Sequence, residues 1–204
     1  MAGDKILSRD DIVWGLGRIR EGLAEEGKRG IVKIIGGSAM ILEGHADRSA
    51  TVDIDAVVLL PRESIIEIAA AVAHERGWPE NWINLEAQGL YPAYAGLPLW
   101  NPRPDLSDDA LTVELATRGA LLAMKLNASR RGRDEDDIRA LMTACDVTTV
   151  AGADQHFSEF FVGESMPDKA VILLRRLGYP DGDDAMYSHI PRSTPLSSRQ
   201  SEHR

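Results

Sequence analysis

Residues 31–44 read IVKIIGGSAMILEG, and this stretch decides the architecture that we expect for the chain. Its first five residues are β-branched apart from Lys33, which predicts a short buried strand. Gly36 and Gly37 break that strand, and the residues from Ala39 to Glu43 favour a brief helix. A strand that turns at once into a helix is typical of proteins that combine both elements around one core.

A helix is predicted before this unit and a second strand after it. Residues 9–26 carry apolar side chains at helical spacing behind a capping-box start at Ser8, which indicates an amphipathic helix. Residues 51–60 alternate and then become continuously apolar, which predicts a strand beside the first one. Pro61 suits the first position of a helix that runs to about Glu75.

The second half of the chain is predicted to be mainly helical. Residues 77–104 read as mostly loop, and residues 111–115 as a third strand. Helices are expected over 117–130, 134–143, 154–162 and 168–177. We therefore expect an α/β (α+β) protein with a small mixed sheet. Its predicted parts are a core over 1–116, a helical C-terminal part over 117–179 that completes the active-site cleft, and a disordered tail over 180–204.

Composition narrows the classes of protein that this chain can be. It has 204 residues, 44% hydrophobic and 27% charged, as in an ordinary soluble globule. No apolar run reaches the roughly 18 residues of a membrane helix and no secretory signal is evident, so a cytoplasmic protein without a membrane partner is expected. A net charge of −9 disfavours a protein that coats nucleic acid. Arg130, Arg131 and Arg133 form a local basic patch, which is either an RNA contact or a solvated helix end.

Two carboxylates in the predicted second strand are the first candidates for chemistry. Asp53 and Asp55 stand two residues apart, and residues at that spacing share one face of a strand. Paired carboxylates beside an apolar strand repel each other unless cations are bound, so we interpret them as a site for one or two divalent metal ions. The alternative is a solvent-exposed strand end.

The glycine pair between the two strands is the second candidate. Gly36 and Gly37 lie at a strand-to-helix turn, where backbone N–H groups can approach phosphate oxygens closely. Ser38 follows at the start of the short helix and offers a hydroxyl donor. The turn lacks the lysine of a Walker loop, and a Gly-Gly turn capped by serine is also common for structural reasons alone.

Lys125 is the third candidate, because its predicted helix is apolar on nearly all sides. Such a lysine either extends to the surface or points into a polar cleft, and we favour a cleft in which a triphosphate supplies the anion. The acids at the start of the next helix, with Asp134 as its N-cap, favour that helix. Compatible with this, Asp137 or Asp134 reaches back to the cleft at Lys125. Glu114 is a provisional third metal ligand, with an exposed strand residue as the alternative.

Taken in order, these motifs resemble those of the AbiEii-type nucleotidyltransferases, a family that includes toxins of abortive-infection and type IV toxin–antitoxin systems. The shared residues, which lie between about 31 and 142, are Gly36-Gly37-Ser38, Arg48, Thr51-x-Asp53-Ile54-Asp55, Lys125-x-x-Ala128 and Arg133-Asp134-x-x-Asp137-Ile138. Trp82-Ile83-Asn84 also resembles a segment of the family's uncharacterised bacterial members. Short motifs in the same order make the resemblance fairly specific.

The resemblance implies a polymerase-β-like nucleotidyltransferase core that transfers a nucleoside monophosphate from an NTP, with Mg²⁺ or Mn²⁺ as cofactor. The residues that it assigns to catalysis are Asp53, Asp55, Lys125 and Asp137, the first two as the metal-binding pair. The residues that it assigns to nucleotide binding are Gly36, Gly37, Ser38, Thr51, Lys125 and Asp134. It implies a tRNA 3′ end or a protein side chain as acceptor and, in a toxin–antitoxin pair, a cognate antitoxin as partner.

Two other interpretations of the same residues stay open. The first is a non-catalytic module that binds nucleotide or a partner with the same fold. The second is a phosphate–metal hydrolase, because acidic pairs after a strand serve there too. Release of pyrophosphate from an NTP would favour transfer, whereas release of orthophosphate would favour hydrolysis.

Overall fold

The described part of the protein divides into two compact units. A computed structural model describes residues 6–44, 50–58, 61–84, 91–92 and 95–182. The first unit takes in the described residues up to Tyr91 and Pro98–Leu121, and the second takes in those of Pro92–Leu97 and those from Leu122 onward. These ranges form seven α-helices, a five-stranded mixed sheet and a two-stranded sheet, which confirms the expected mixture of helices and strands.

The first unit contains all of the described strands. They are β1 (Leu7–Ser8), β2 (Gly30–Ile34), β3 (Ala50–Thr51), β4 (Ile54–Val58), β5 (Ile83–Asn84), β6 (Trp100–Pro102) and β7 (Leu111–Ala116). Its helices are α1 (Arg9–Glu25), α2 (Gly36–Leu42) and α3 (Arg62–Arg76), with a 3-10 turn at Pro104–Leu106. Helix α4 (Arg118–Ala128) begins in this unit and ends in the second.

The five-stranded sheet has the order β5-β4-β2-β7-β6. Strand β2 runs antiparallel to β4 and parallel to β7. Strand β5 runs parallel to β4, and β6 runs antiparallel to β7. The edges of this sheet are therefore the two-residue strand β5 and the three-residue strand β6. Strands β1 and β3 form a separate antiparallel pair.

Helices α1 and α3 pack on the same face of the sheet. Gly30, at the start of β2, lies against Leu23 of α1, Ile65 of α3 and Leu111 of β7. All three of these apolar side chains are fully buried. The absence of a side chain at Gly30 lets the two helices approach the sheet closely at this point.

The bounds of three helices follow the sequence prediction to within a few residues. The capping box at the start of α1 is present: the Ser8 hydroxyl accepts from the Asp11 N–H at 3.2 Å, and the Asp11 carboxylate accepts from the Ser8 N–H at 3.0 Å. Helix α2 begins at Gly36 rather than at Ala39, because the glycine pair forms its first turn. Helix α3 begins one residue after Pro61.

The prediction of one continuous strand over residues 51–60 is wrong. Thr51 ends β3, the chain bends at residues 52–53, and β4 begins at Ile54. The break arises because the two pieces join different sheets: β3 pairs with β1, whereas the Ile54 N–H donates to the carbonyl of Trp82 at 2.7 Å beside β5. The last two residues of the predicted strand lie outside the described part.

Residues 77–104, predicted as mostly loop, supply both edge strands of the large sheet. Strands this short contain too few residues for a two-residue periodicity to be recognised in the sequence. Trp82 anchors the segment before β5, because its ring is fully buried and its indole N–H donates to the carbonyl of Ala69 at 2.9 Å.

The second unit consists mainly of helices, although it begins at Leu122 rather than at 117 and also takes in Pro92–Leu97. Besides the end of α4 it contains α5 (Glu135–Ala144), α6 (Val150–Phe160) and α7 (Asp168–Arg176). The N–H groups of Val150 and Ala151 donate to the carbonyls of Pro180 and Asp181 at 2.9 and 3.0 Å, so the first residues of the predicted tail are held in place. Residues 183–204 lie outside the described part. In the described ranges no helix combines the length and apolar character needed to cross a membrane.

Candidate active site

The glycine turn predicted to bind phosphate lies against a predicted metal ligand. Gly36 has a φ of 66°, in the left-handed region that glycine adopts without strain. A Cβ added at this position would lie 2.6 Å from Oδ2 of Asp55 and 3.4 Å from its Cβ. A side chain at this position would have to displace the Asp55 carboxylate, so the turn and the carboxylate form a single feature of the first unit.

The sheet topology explains why these two residues meet. Strands β2 and β4 are antiparallel neighbours, so the end of β2 lies beside the start of β4. The N–H of Ile35 donates to the carbonyl of Asp55 at 2.9 Å and extends the pairing up to the turn. The structure thus brings Gly36 and Asp55 together, as their positions on successive strands predict.

Asn84 holds the other carboxylate oxygen of Asp55. Its Nδ2 donates to Oδ1 of Asp55 at 3.1 Å. The two residues are paired in register on the parallel strands β5 and β4. Sequence reasoning did not assign Asn84 to the site, although Trp82-Ile83-Asn84 stood out by resemblance. The sequence shows Asn84 only as a polar residue that follows Trp82 and Ile83. Its contact with Asp55 becomes visible only from the register of β5 against β4.

Asp53 lies in the bend before β4 and is half-buried. The expectation that Asp53 and Asp55 share one face of one strand is therefore wrong, because Asp53 is not part of β4. The two carboxylates still flank Ile54, which is fully buried and fixes the start of the strand in the core. A bend gives Asp53 a direction that the alternation of a strand does not dictate.

Two predicted nucleotide-binding residues, Ser38 and Thr51, are buried inside the first unit. Ser38 is 1% exposed, and its hydroxyl donates to the carbonyl of Ile35 at 3.1 Å. Thr51 is buried in β3, where it pairs with Leu7 of β1. Gly37 is buried in the first turn of α2. These residues can therefore offer a phosphate mainly the backbone N–H groups of that turn, because the first N–H groups of a helix have no acceptor within the helix.

The structure pairs Glu114 with Lys33 and not with the acid pair. The two lie in register on the neighbouring strands β7 and β2, with Oε2 of Glu114 2.8 Å from Nζ of Lys33. The same Nζ lies 5.0 Å from the ring centroid of Trp100. Strand β7 is two strands from β4, or about 10 Å across the sheet. We therefore correct the provisional assignment of Glu114 as a third metal ligand: its carboxylate neutralises a half-buried lysine.

In the second unit, Lys125 is buried with two carboxylates. Its Nζ lies 2.9 Å from Oδ1 of Asp134 and 2.7 Å from Oδ2 of Asp137. The Asp134 side chain is fully buried, and those of Lys125 and Asp137 are each 8% exposed. The prediction that these acids reach back to Lys125 is confirmed. The protein itself supplies the anions, so the burial of Lys125 does not require a triphosphate.

Asp134 stands at the N-cap position of α5, but its side chain makes no capping hydrogen bond, and the prediction that it caps the helix is wrong. Its oxygens instead accept from Lys125 and from the backbone N–H, Nε and Nη2 of Arg130 at 2.9 to 3.1 Å. Burial alone would raise the pKa of Asp134. The hydrogen bonds from Arg130 and Lys125 outweigh burial and lower the pKa from 3.8 to about 2.

We predict that Asp134 stabilises the fold at neutral pH and loses this contribution in acid. A carboxyl whose pKa falls on folding contributes fully above its unfolded pKa of 3.8, and the contribution is lost as the pH falls toward about 2. The expected contribution is on the order of 2 kcal/mol. Urea unfolding from about pH 7 to about pH 2 measures it. The Asp134→Asn variant should lose less stability on acidification than the parent, and equal losses would contradict the prediction.

The three arginines of the predicted basic patch differ in their surroundings. Arg130 is engaged by Asp134, as described above. Arg131 and Arg133 are exposed on either side of Gly132. Contact of these two arginines with RNA stays a prediction.

Among the described residues, no group of three or more His, Cys, Asp or Glu side chains is arranged to hold a metal ion. Mg²⁺ that acts on phosphates is usually held by one or two carboxylates together with the substrate phosphates and water. Asp53 and Asp55 fit that smaller donor set in number, because Asp55 lies at the glycine turn and Asp53 lies two residues before it.

Comparison with known proteins does not identify a family. No protein-family model, no curated protein and no solved structure matches this chain. The resemblance to AbiEii-type nucleotidyltransferases therefore rests on the motifs quoted above and stays a prediction.

Proposed function

We propose that the protein is a Mg²⁺-dependent nucleotidyltransferase that moves a nucleoside monophosphate from an NTP to an acceptor hydroxyl. The observation that carries this proposal is the contact between the turn at Gly36 and the carboxylate of Asp55. A phosphate that approaches the turn comes close to that carboxylate. A phosphate and a carboxylate placed side by side repel each other unless a cation lies between them. This repulsion supports a metal–triphosphate complex as the ligand.

Each residue of this site has a separate task in the proposal. Asp53 and Asp55 would hold the metal, which when bound places positive charge against the triphosphate and lowers the pKa of the acceptor hydroxyl. Gly36 leaves room for a phosphate oxygen, and the N–H groups of the turn donate to it. Asn84 keeps the Asp55 carboxylate in place through its hydrogen bond.

The reaction is an in-line displacement at the α-phosphorus of the NTP. The acceptor oxygen forms a bond to this phosphorus while the bond to the oxygen bridging the α- and β-phosphates breaks. Pyrophosphate leaves with that electron pair, and the hydroxyl proton passes to solvent. A polymerase-β-like core, a tRNA or protein acceptor and a cognate antitoxin belong to the same proposal, supported by the motif resemblance. A cytoplasmic location also belongs to it, on the grounds of composition given above.

A glycine substitution tests the observation that carries the proposal. Gly36→Ala forces a residue with a side chain into the left-handed region, at about 1–2 kcal/mol, and pushes the Asp55 carboxylate aside. Gly77→Ala is the matched control, because Gly77 has a φ of 63° and no atom within 4 Å of an added Cβ. We expect both variants to lose similar stability. Only Gly36→Ala should lose transfer activity, by about 100-fold.

The assay is incubation of the purified protein with each α-labelled NTP, Mg²⁺ and total cell RNA or lysate. Transfer gives labelled RNA or protein together with pyrophosphate. Orthophosphate without labelled acceptor would replace the proposal with a hydrolase. Equal activity of the Gly36→Ala and Gly77→Ala variants would show that the turn has no part in the reaction.

A non-catalytic module that binds nucleotide or a partner is the second candidate, because two groups that would stabilise a departing pyrophosphate are engaged within the protein. The Ser38 hydroxyl donates to a backbone carbonyl, and Lys125 is paired with Asp134 and Asp137. Both groups are therefore engaged without a nucleotide. Saturable binding of an NTP with Mg²⁺, without pyrophosphate release in any lysate, would decide for this candidate.

A further inference from the structure

We infer that Asn84 is a positioning residue that directs the Asp55 carboxylate toward the bound metal, an inference that rests on the proposed function. Asp55 presents its two oxygens to two different surroundings. Oδ1 accepts from Nδ2 of Asn84 at 3.1 Å, and Oδ2 faces the turn at Gly36. A hydrogen bond on Oδ1 limits rotation of the carboxylate and keeps Oδ2 at the turn, where the phosphate and its cation would meet.

The backbone on both sides of this contact is fixed. Strand β5 pairs in parallel register with the start of β4, with Ile83 opposite Ile54 and Asn84 opposite Asp55. The Ile54 N–H donates to the carbonyl of Trp82, so the hydrogen-bonded pairing begins one residue before Ile83. Asn84 therefore reaches Asp55 from a strand whose position is set by core residues.

The chemical type of the donor also supports this task. An amide N–H is neutral, so it orients a carboxylate without cancelling the negative charge that attracts a cation. A lysine or arginine at position 84 would form an ion pair with Asp55 and compete with the metal.

Direct binding of Mn²⁺ to the whole protein, measured by electron paramagnetic resonance without nucleotide, tests this inference. We expect Asn84→Ala and the similarly sized Asn84→Leu to weaken Mn²⁺ binding about 10–100-fold. Asn101→Ala is the matched control, because Asn101 is an exposed asparagine on the other edge strand, β6. It should bind Mn²⁺ as the parent does. Thermal unfolding of all variants identifies any that fail to fold, and the leucine variant preserves side-chain volume if the alanine variant is unstable.

Labelling assays over a range of Mn²⁺ concentrations separate positioning from a general structural effect. Positioning predicts a higher metal requirement that is overcome at saturating Mn²⁺. If the parent binds Mn²⁺ and transfers label while both Asn84 variants keep its metal affinity, the inference is overturned and the proposed function stands. If the parent neither binds Mn²⁺ nor transfers label, the proposed function and the inference fall together.

Discussion

Asp55→Asn is expected to reduce NTP-dependent labelling at least about 100-fold without destabilising the protein. Asparagine has the shape of aspartate and can still accept the hydrogen bond from Asn84. It lacks the charge that would bind the metal. Because the shape of the side chain and the contact with Asn84 are kept, the free energy of unfolding should stay within about 1 kcal/mol of the parent.

Labelling and urea unfolding of the same preparations check this prediction. Asp53→Asn should behave like Asp55→Asn. Asp109→Asn is the control, because Asp109 is an exposed aspartate of the same unit before β7. Full labelling by either site variant would remove the acid pair from the mechanism. A large loss of stability would assign Asp55 to the support of the fold instead.

Lys125→Met is expected to lower the free energy of unfolding by about 3–5 kcal/mol. Methionine fills a similar volume but leaves the buried carboxylates of Asp134 and Asp137 without the ammonium that pairs with both. Arg130 remains paired with Asp134 in this variant. The midpoint of urea unfolding at an unchanged slope measures the effect.

Lys169→Met provides the comparison, because Lys169 is an exposed lysine of the same unit whose Nζ donates to the Ala128 carbonyl. It should stay within about 0.5 kcal/mol of the parent. Neutralising Asp137 in the double variant Lys125→Met/Asp137→Asn should restore part of the loss. If Lys125→Met is as stable as Lys169→Met, the ion pairs of Lys125 with Asp134 and Asp137 do not stabilise the second unit. Loss of labelling in a Lys125 variant therefore has to be corrected for unfolding before it is read as loss of a phosphate ligand.

The sequence was sufficient where one local pattern determines the outcome. Residues 9–26 repeat apolar positions over several turns, and the capping pair marks the start, so α1 was predicted almost to the residue. The glycine pair after β2 likewise determines where this strand ends and where α2 begins. The approach of Gly36 to Asp55 followed because neighbouring strands place their ends together.

The sequence was insufficient where the structure depends on pairing between segments that are distant along the chain. The bend at Asp53 exists because residues on either side of it join different sheets, which the apolar pattern of 51–60 conceals. The contact of Asn84 with Asp55 depends on the register of a two-residue strand. The apolar pattern around Lys125 favours a lysine in a polar cleft over one that extends to the surface. Either a ligand or the start of α5 could supply the anion beside this lysine. The packing of the helices decides between them, and the sequence pattern does not show it.

The short edge strands have a consequence for how the protein behaves at high concentration. Chains aggregate side by side when a long, flat strand edge exposes a row of unpaired backbone groups. In the described part, β5 and β6 offer only two and three residues, and Pro102 in β6 has no N–H to donate. Within the described residues, the large sheet therefore gives a second molecule little to extend, and we expect little lateral strand addition at these two short strands.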